Sequence, residues 1–107
     1  MTNKSAKEII KESFDYETCK DISNSGVEGI AKSYSSQEQT IPFYDQYKQQ
    51  IIDTIVESLG NESFNEMSDS SDDINEFKHE CTHTFIQLVA MEKVDEIDNA
   101  EAEELGF

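Results

Sequence analysis

Basic residues are scarce in this chain, and none of them is arginine. The 107 residues include eight lysines against 24 acidic residues, which gives a formal net charge of −16. A surface with this excess of negative charge repels phosphate groups, so the composition excludes general electrostatic binding to nucleic acid or to anionic lipid. The same charge favours a basic partner.

Long apolar runs are also missing. No stretch reaches 18 apolar residues, which excludes an ordinary transmembrane helix. The first 14 residues interrupt their few apolar side chains with charges, unlike a secretory signal. We therefore expect a cytoplasmic protein with no membrane partner. Its two cysteines, Cys19 and Cys81, are predicted to be buried thiols rather than a disulfide, as is usual in that compartment.

The acidic residues are concentrated in the second half of the chain. Residues 1–52 hold eight acids and six lysines, a net charge of −2, whereas residues 53–107 hold sixteen acids and two lysines, a net charge of −14. Like charges three or four residues apart destabilise a helix, and a chain selected only for solubility would alternate the two signs. The uneven distribution therefore indicates a function for the acids, with a halophile-like or merely soluble surface as the alternative.

Apolar residues recur at helical spacing, and no segment alternates as a strand does. The sequence predicts an all-α single domain over residues 1–107, a small bundle of three to four helices with a long acidic C-terminal helix. Gly60 is expected to end one helix, and the polar segment after it is predicted to be a loop with Phe64 and Met67 tucked beneath. The predicted helices cover residues 5–14, 25–34, 40–59 and 72–105, and the loop covers residues 61–71.

The two long helices have predicted caps and buried faces. Thr40 is expected to cap the first of them, with Pro42 in its first turn, and Asp72 or Asp73 is expected to cap the second. The predicted buried face of the first is Tyr44, Tyr47, Ile51, Ile55 and Leu59. The predicted buried face of the second is Ile74, Phe77, Cys81, Phe85, Leu88 and Val89, continued by Val94 and Ile97.

Residues 79–83 read HECTH, which matches the H-E-x-x-H signature of zinc peptidases. His79 and His83 would share a helix face and could hold one zinc ion, with Glu80 as general base. A third ligand is needed, and Glu103 lies twenty residues beyond His83. With no Gly or Pro between them, the chain stays helical and separates the two by about 30 Å, whereas a metal bond is about 2 Å long.

Because the HECTH motif is present but its third ligand is distant, a small zinc-dependent metallopeptidase is the alternative function rather than the leading one. Otherwise the two histidines are polar residues on a partly exposed helix face. The sequence predicts no catalytic residue, no metal ligand and no cofactor, so we expect a protein that is not an enzyme.

Many of the acids recur at helical steps of three or four residues. Such neighbours have Cβ atoms about 5–6 Å apart, comparable to adjacent phosphates along one DNA strand. Carboxylates at this spacing could pair with lysines and arginines that normally bind phosphate. The predicted partner-binding residues are Asp53, Glu57, Glu62, Glu66, Asp69, Asp72, Asp73, Glu76, Glu80, Glu92, Asp95, Glu96 and Asp98.

The order of segments resembles a known family. A helix of small residues is followed by Ile41, Pro42 and Tyr44, a long helix, the acidic stretch NESFNEMSDSSDD and a last helix ending in acids. This arrangement, from about residue 8 to residue 105, resembles the Ocr-like phage antirestriction proteins, which mimic DNA. Ile41, Pro42 and Tyr44 are the matching positions.

The resemblance implies an elongated homodimer that mimics bent B-form DNA. It implies a partner as well, the basic DNA-binding cleft of a host defence enzyme. Type I restriction-modification enzymes are the expected target, and CRISPR effectors or polymerases are others. The implied protein binds no nucleic acid itself and, if phage-encoded, acts in the host cytoplasm. Phe43, Tyr44 and Tyr47 are candidate dimer contacts, because a small core cannot bury every aromatic residue.

Overall fold

Among the described residues of the computed structural model, every regular element is a helix. The structure describes residues 5–25 and 36–104, with side chains over residues 5–24 and 36–100. The all-α prediction is confirmed, since the described residues contain helices and no strand. The predicted number of three to four helices is not confirmed, because the described residues form five. They are α1 (Ala6–Ser13), α2 (Tyr16–Ser25), α3 (Gln37–Leu59), α4 (Asn61–Ser70) and α5 (Ile74–Glu104).

Helix α2 was not predicted. It begins after Asp15, whose Oδ1 accepts a hydrogen bond of 2.8 Å from the backbone N–H of Thr18, and this bond lowers the pKa of Asp15. Cys19 and Ile22 are its buried residues, and two apolar residues give too short a stripe to identify a helix. The helix predicted over residues 25–34 lies outside the described residues except for Ser25, which ends α2.

Helix α3 begins one turn earlier than predicted. The backbone N–H of Ser36 donates to Gln39 Oε1 at 3.2 Å, one half of a capping box. Thr40 is therefore inside the helix and fully buried, rather than its cap. The helix is kinked at Tyr47, where φ is −119° and ψ is 25°.

The segment predicted as a loop after Gly60 is helix α4, so that prediction was wrong. Gly60 does end α3, as predicted, with its N–H bonded to the carbonyl of Val56 at 2.9 Å. Its φ of 90° and ψ of 163° lie in a region that is essentially restricted to glycine. The chain therefore changes direction at one residue and becomes helical again at Asn61.

Helix α5 packs against the other four helices and supplies the centre of the core. It begins after Asp73, whose Oδ1 accepts from the backbone N–H of Glu76 at 2.8 Å, as expected for a cap. Two residues that were predicted to be buried are instead exposed, Leu59 by 45% and Ile74 by 62%. The core comprises Ala6, Ile10, Phe14, Cys19, Ile22, Phe43, Tyr44, Ile51, Ile55, Cys81, Phe85, Ile86, Val89 and Ala90.

Phe43 and Tyr44 belong to this core, so they do not offer a surface to a second copy. Tyr47 is partly buried against the core, and its ring lies 5.0 Å from that of Phe43. Phe64 and Met67, both on α4, are partly buried and pack against the core, as predicted. The candidate dimer contacts were therefore wrong for two of the three aromatic residues.

Overall dimensions of 49 × 31 × 30 Å describe a compact protomer, and the elongated homodimer that the resemblance implies stays a prediction. The compactness follows from α5, because the other helices all pack along it. Among the residues that the structure describes, none of the helices has the length and apolar character needed to cross a membrane.

Candidate partner-binding surface

The largest uncompensated charge in the chain lies between residues 53 and 76. This stretch, called here the acidic segment, carries eight acidic residues, and the chain has no lysine from residue 49 to residue 77. It runs from the last turns of α3 through α4 to the first turn of α5. The members of the acidic segment are Asp53, Glu57, Glu62, Glu66, Asp69, Asp72, Asp73 and Glu76.

Helix α4 places three of these carboxylates in a row. Glu62, Glu66 and Asp69 are separated by four and three residues, so they share one helix face at Cβ distances of about 5–6 Å. All three are exposed, and none has a hydrogen-bond or ion-pair partner among the described residues. The opposite face holds Phe64, whose ring meets that of Phe77 with centroids 5.7 Å apart. The row therefore stands on a packed helix rather than on a loop.

The remaining members differ in how far they are engaged. Asp53 accepts a hydrogen bond of 2.8 Å from Gln49 Nε2, and Asp73 caps α5 through its Oδ1. Glu57 and Asp72 are exposed and have no partner within the described part of the chain. Glu76 is half-buried. The acidic segment thus presents most of its charge to solvent.

Acids farther along α5 are used within the protein. Lys11 Nζ lies 2.9 Å from Glu96 Oε1 and 3.8 Å from Glu92 Oε2, and Lys7 lies 3.5 Å from Glu92. Asp98 accepts a hydrogen bond of 2.8 Å from the Tyr16 hydroxyl. These contacts link α1 and α2 to α5; the lysines partly neutralise Glu92 and Glu96, whereas Asp98 is hydrogen-bonded but keeps its charge.

Lys93 strengthens the same contact. Its Nζ donates to the backbone carbonyls of Lys11 and Phe14, both at 2.5 Å. These carbonyls lie at the end of α1, where a helix leaves carbonyl oxygens without partners and where a cation is favourable. Asp95 is exposed and has no partner among the described residues. Four predicted binding residues lie from 92 to 98. Of these, only Asp95 has a carboxylate with no hydrogen-bond or ion-pair partner among the described residues.

Glu80 was predicted to be a partner-binding residue, but the structure gives it an environment unlike that of the exposed acids. Its side chain is half-buried, and Oε2 accepts a hydrogen bond of 3.1 Å from the Ser71 hydroxyl. Ser71 also donates to the carbonyl of Met67 at 2.8 Å. The contact ties the end of α4 to α5, so Glu80 supports the turn below the acidic segment. No local sequence pattern indicates this partner nine residues away.

His79 of HECTH contacts α3, and the ring of His83 lies beside that of His79. His79 Nδ1 and Thr40 Oγ1 share a hydrogen bond of 2.7 Å, and the rings of His79 and His83 lie 4.1 Å apart. Cys81 lies between them in sequence but is fully buried, and burial raises the pKa of its thiol to about 12. The thiol is therefore protonated at neutral pH and is a poor metal ligand or nucleophile.

The described residues contain no group of three or more His, Cys, Asp or Glu side chains that could hold a metal ion. The one distant candidate, Glu103, has its backbone on α5, which continues as a single helix from Ile74 to Glu104. Twenty residues of helix separate it from His83 by about 30 Å. The zinc-peptidase hypothesis thus has two histidines but lacks a third ligand in the described part of the molecule.

His79 predicts a pH dependence of stability. Its pKa lies below the ordinary value of 6.5, because burial disfavours the imidazolium and His83 acts in the same direction, while Glu80 opposes both. Between the lowered pKa and 6.5 the unfolded chain binds more protons than the folded chain. This residue therefore makes the folded state less stable as the pH falls through that window.

Replacing His79 by Gln should remove that contribution. We expect the free energy of unfolding of the wild type to fall more than that of His79→Gln between about pH 7.5 and about pH 5.5. Urea unfolding of both proteins at the two pH values measures the difference. Relief of repulsion among the carboxylates is common to both proteins and cancels in the comparison. Equal changes in both would contradict the assignment.

No protein-family model matches this sequence, and neither a curated protein nor a solved structure shows significant similarity to it.

Proposed function

We propose that this protein is a DNA mimic that inhibits a DNA-binding host enzyme by occupying its basic cleft. The observation that carries the proposal is the acidic segment, with eight acids between residues 53 and 76 and no lysine from residue 49 to residue 77. Lysines and arginines that normally bind phosphates would bind these carboxylates through charge-assisted hydrogen bonds. The protein performs no chemistry in this role and binds no nucleic acid itself.

The arrangement on α4 supports this proposal in particular. Glu62, Glu66 and Asp69 repeat at a spacing comparable to that of phosphates on one strand. Repulsion among like charges at these positions destabilises the helix by a few tenths of a kcal/mol per pair. No lysine of the described residues offsets that cost on α4, although lysines neutralise Glu92 and Glu96 on α5. The contrast favours a role in binding for the unpaired row.

The target that we propose is a type I restriction-modification enzyme, with CRISPR effectors and polymerases as further candidates whose clefts have the same chemistry. We also propose that the protein acts as a homodimer, which would lengthen the track of charge. A second copy cannot approach through the acidic segment itself, because the like charges repel. Sedimentation equilibrium at moderate salt measures the oligomeric state.

The proposal is tested by inhibition of DNA cleavage. A purified type I restriction enzyme is titrated with this protein at low salt, and a CRISPR effector and a polymerase are titrated in parallel. We expect stoichiometric inhibition of at least one of them, relieved by excess duplex DNA that carries the recognition sequence. Catalytic, substoichiometric inactivation, or inhibition that is lost when this protein is first treated with a zinc chelator that is removed before the assay, would instead support a metallopeptidase that uses His79, Glu80 and His83. Lack of inhibition in every case would contradict DNA mimicry.

A further inference from the structure

A shallow groove with an apolar floor lies beside the acidic row, where the end of α3, the side of α4 and the middle of α5 meet. Its volume is about 660 Å³, and Leu59, Met67 and Thr84 are among its lining residues. Leu59 is 45% exposed, which is unusual for a leucine predicted to complete a core stripe. Glu66 and Asp69 of the acidic row line the same groove. The site therefore combines an apolar floor with a negatively charged rim.

A second cavity extends the groove along α5. It measures about 390 Å³ and shares Met67 and Thr84 with the first. The residues that it adds are Glu80 and His83. The two cavities therefore adjoin at Met67 and Thr84, with Leu59 lining the first and Glu80 lining the second. Together they could receive a side chain or a short segment lying across α4 and α5.

We infer that this groove seats an apolar side chain of a cationic segment in the partner's DNA-binding cleft. The negative charge on the rim of the groove determines which kind of partner can bind there. A second copy of this chain would bring another net charge of −16 against Glu66 and Asp69, so the rim repels it. Nucleic acid is repelled for the same reason. A segment rich in lysine or arginine is attracted by the rim, and an aliphatic or aromatic residue within it covers Leu59 and Met67.

The inference rests on the proposed function for the identity of the partner, but it adds a feature that charge mimicry does not need. A phosphate backbone offers no apolar contact at this position. The groove would thus give the protein an advantage over DNA itself, because burial of an apolar side chain adds affinity that salt does not screen. Specificity among basic clefts would then depend on which of them carries a suitable apolar residue next to its cations.

Two synthetic peptides of equal positive charge test the groove without the enzyme. One alternates lysine with leucine at helical spacing, and the other replaces each leucine by serine. Methyl NMR spectra of the protein are recorded during titration with each peptide. We expect the lysine–leucine peptide to shift the methyl signals of Leu59, Met67 and Thr84, and the lysine–serine peptide to bind roughly tenfold more weakly. Equal affinities, or shifts confined to Met91 and Leu88, would overturn the inference.

Variants provide the matched control. Leu59→Ser should weaken the lysine–leucine peptide roughly tenfold, and Leu59→Met should retain most of the binding. Met91→Ser should have no effect, since Met91 is 43% exposed, comparable to Leu59, but lines a different groove with Thr54 and Leu88. Dispersion of the amide spectrum verifies that each variant folds. Concentration-dependent shifts of the Leu59 methyls without peptide would identify a second copy as the occupant and overturn the inference.

The experiments distinguish a failure of the proposed DNA mimicry from a failure of the proposed groove site. If no enzyme is inhibited but the peptides are distinguished at Leu59, DNA mimicry is wrong and the groove remains a site for a cationic segment. If an enzyme is inhibited but Leu59→Ser and Met91→Ser behave alike, the acidic row suffices and the groove plays no part.

Discussion

Raising the salt concentration from about 50 to about 200 mM is expected to weaken the complex with the target enzyme by roughly a thousandfold. Each partner lysine or arginine that pairs with a carboxylate releases the salt ions bound before association, as it does when it pairs with phosphate. The acidic segment offers five exposed carboxylates that have no partner among the described residues, those of Glu57, Glu62, Glu66, Asp69 and Asp72. Titration calorimetry or fluorescence anisotropy at several salt concentrations gives the slope of log Kd against log salt.

The control for this experiment is an uncharged osmolyte at equal osmolality, which leaves the ion pairs unscreened. The affinity should then change little. A complex that keeps its affinity across the whole range of salt would contradict a charge-based mechanism, whatever its inhibitory effect.

Neutralising the row on α4 is expected to weaken the complex by about a hundredfold, since each of the three lost pairs contributes roughly 1 kcal/mol. The variant is Glu62→Gln, Glu66→Gln and Asp69→Asn, which keeps the size and polarity of each side chain. All three residues are exposed on a helix whose packing lies on the other face, so the fold should be preserved. The slope of log Kd against log salt should also decrease by about three.

A matched variant removes the same charge from elsewhere. Glu8→Gln, Glu17→Gln and Asp21→Asn neutralise three exposed acids on α1 and α2, so both variants have the same net charge. We expect the second variant to bind almost as tightly as the wild type. If the two variants weaken binding equally, overall charge rather than the acidic segment is responsible.

The parts of the fold that were predictable are those with strong local signals. Gly60 ends α3, Asp73 caps α5, and the stripe of Cys81, Phe85 and Val89 is buried as expected. Helix α4 could not be found this way, because Phe64 and Met67 give its ten residues too little apolar periodicity. Its stability depends on packing against α3 and α5, a tertiary effect that propensity does not record.

The burial of single residues depended on contacts between distant parts of the chain. Leu59 has the spacing of a core residue but lies at the end of α3, where the turn at Gly60 leaves it exposed. Thr40 is of a residue type that commonly caps helices, but it is buried and hydrogen-bonded to His79. Neither outcome follows from local sequence, since both depend on where α4 and α5 come to lie.

The candidate site was predictable as a list of acids but not as a surface. Counting charges selected both Glu66 and Glu96. Glu66 is exposed and has no partner among the described residues, whereas Glu96 pairs with Lys11. The difference arises from α1, which brings Lys11 against α5 across 85 residues of sequence. The apolar groove next to Glu66 was not predicted either, because it requires Leu59 to be exposed.

The central claim is that the acidic segment occupies the cleft that DNA would fill, and a test for a ternary complex addresses it most directly. Labelled duplex DNA is bound to the target enzyme at saturation, this protein is added, and the species are separated by analytical ultracentrifugation with detection of both labels. We expect DNA to be released in proportion to the protein bound, and the triple α4 variant to release it only at far higher concentration. A stable complex that contains the enzyme, the DNA and this protein together would contradict this claim.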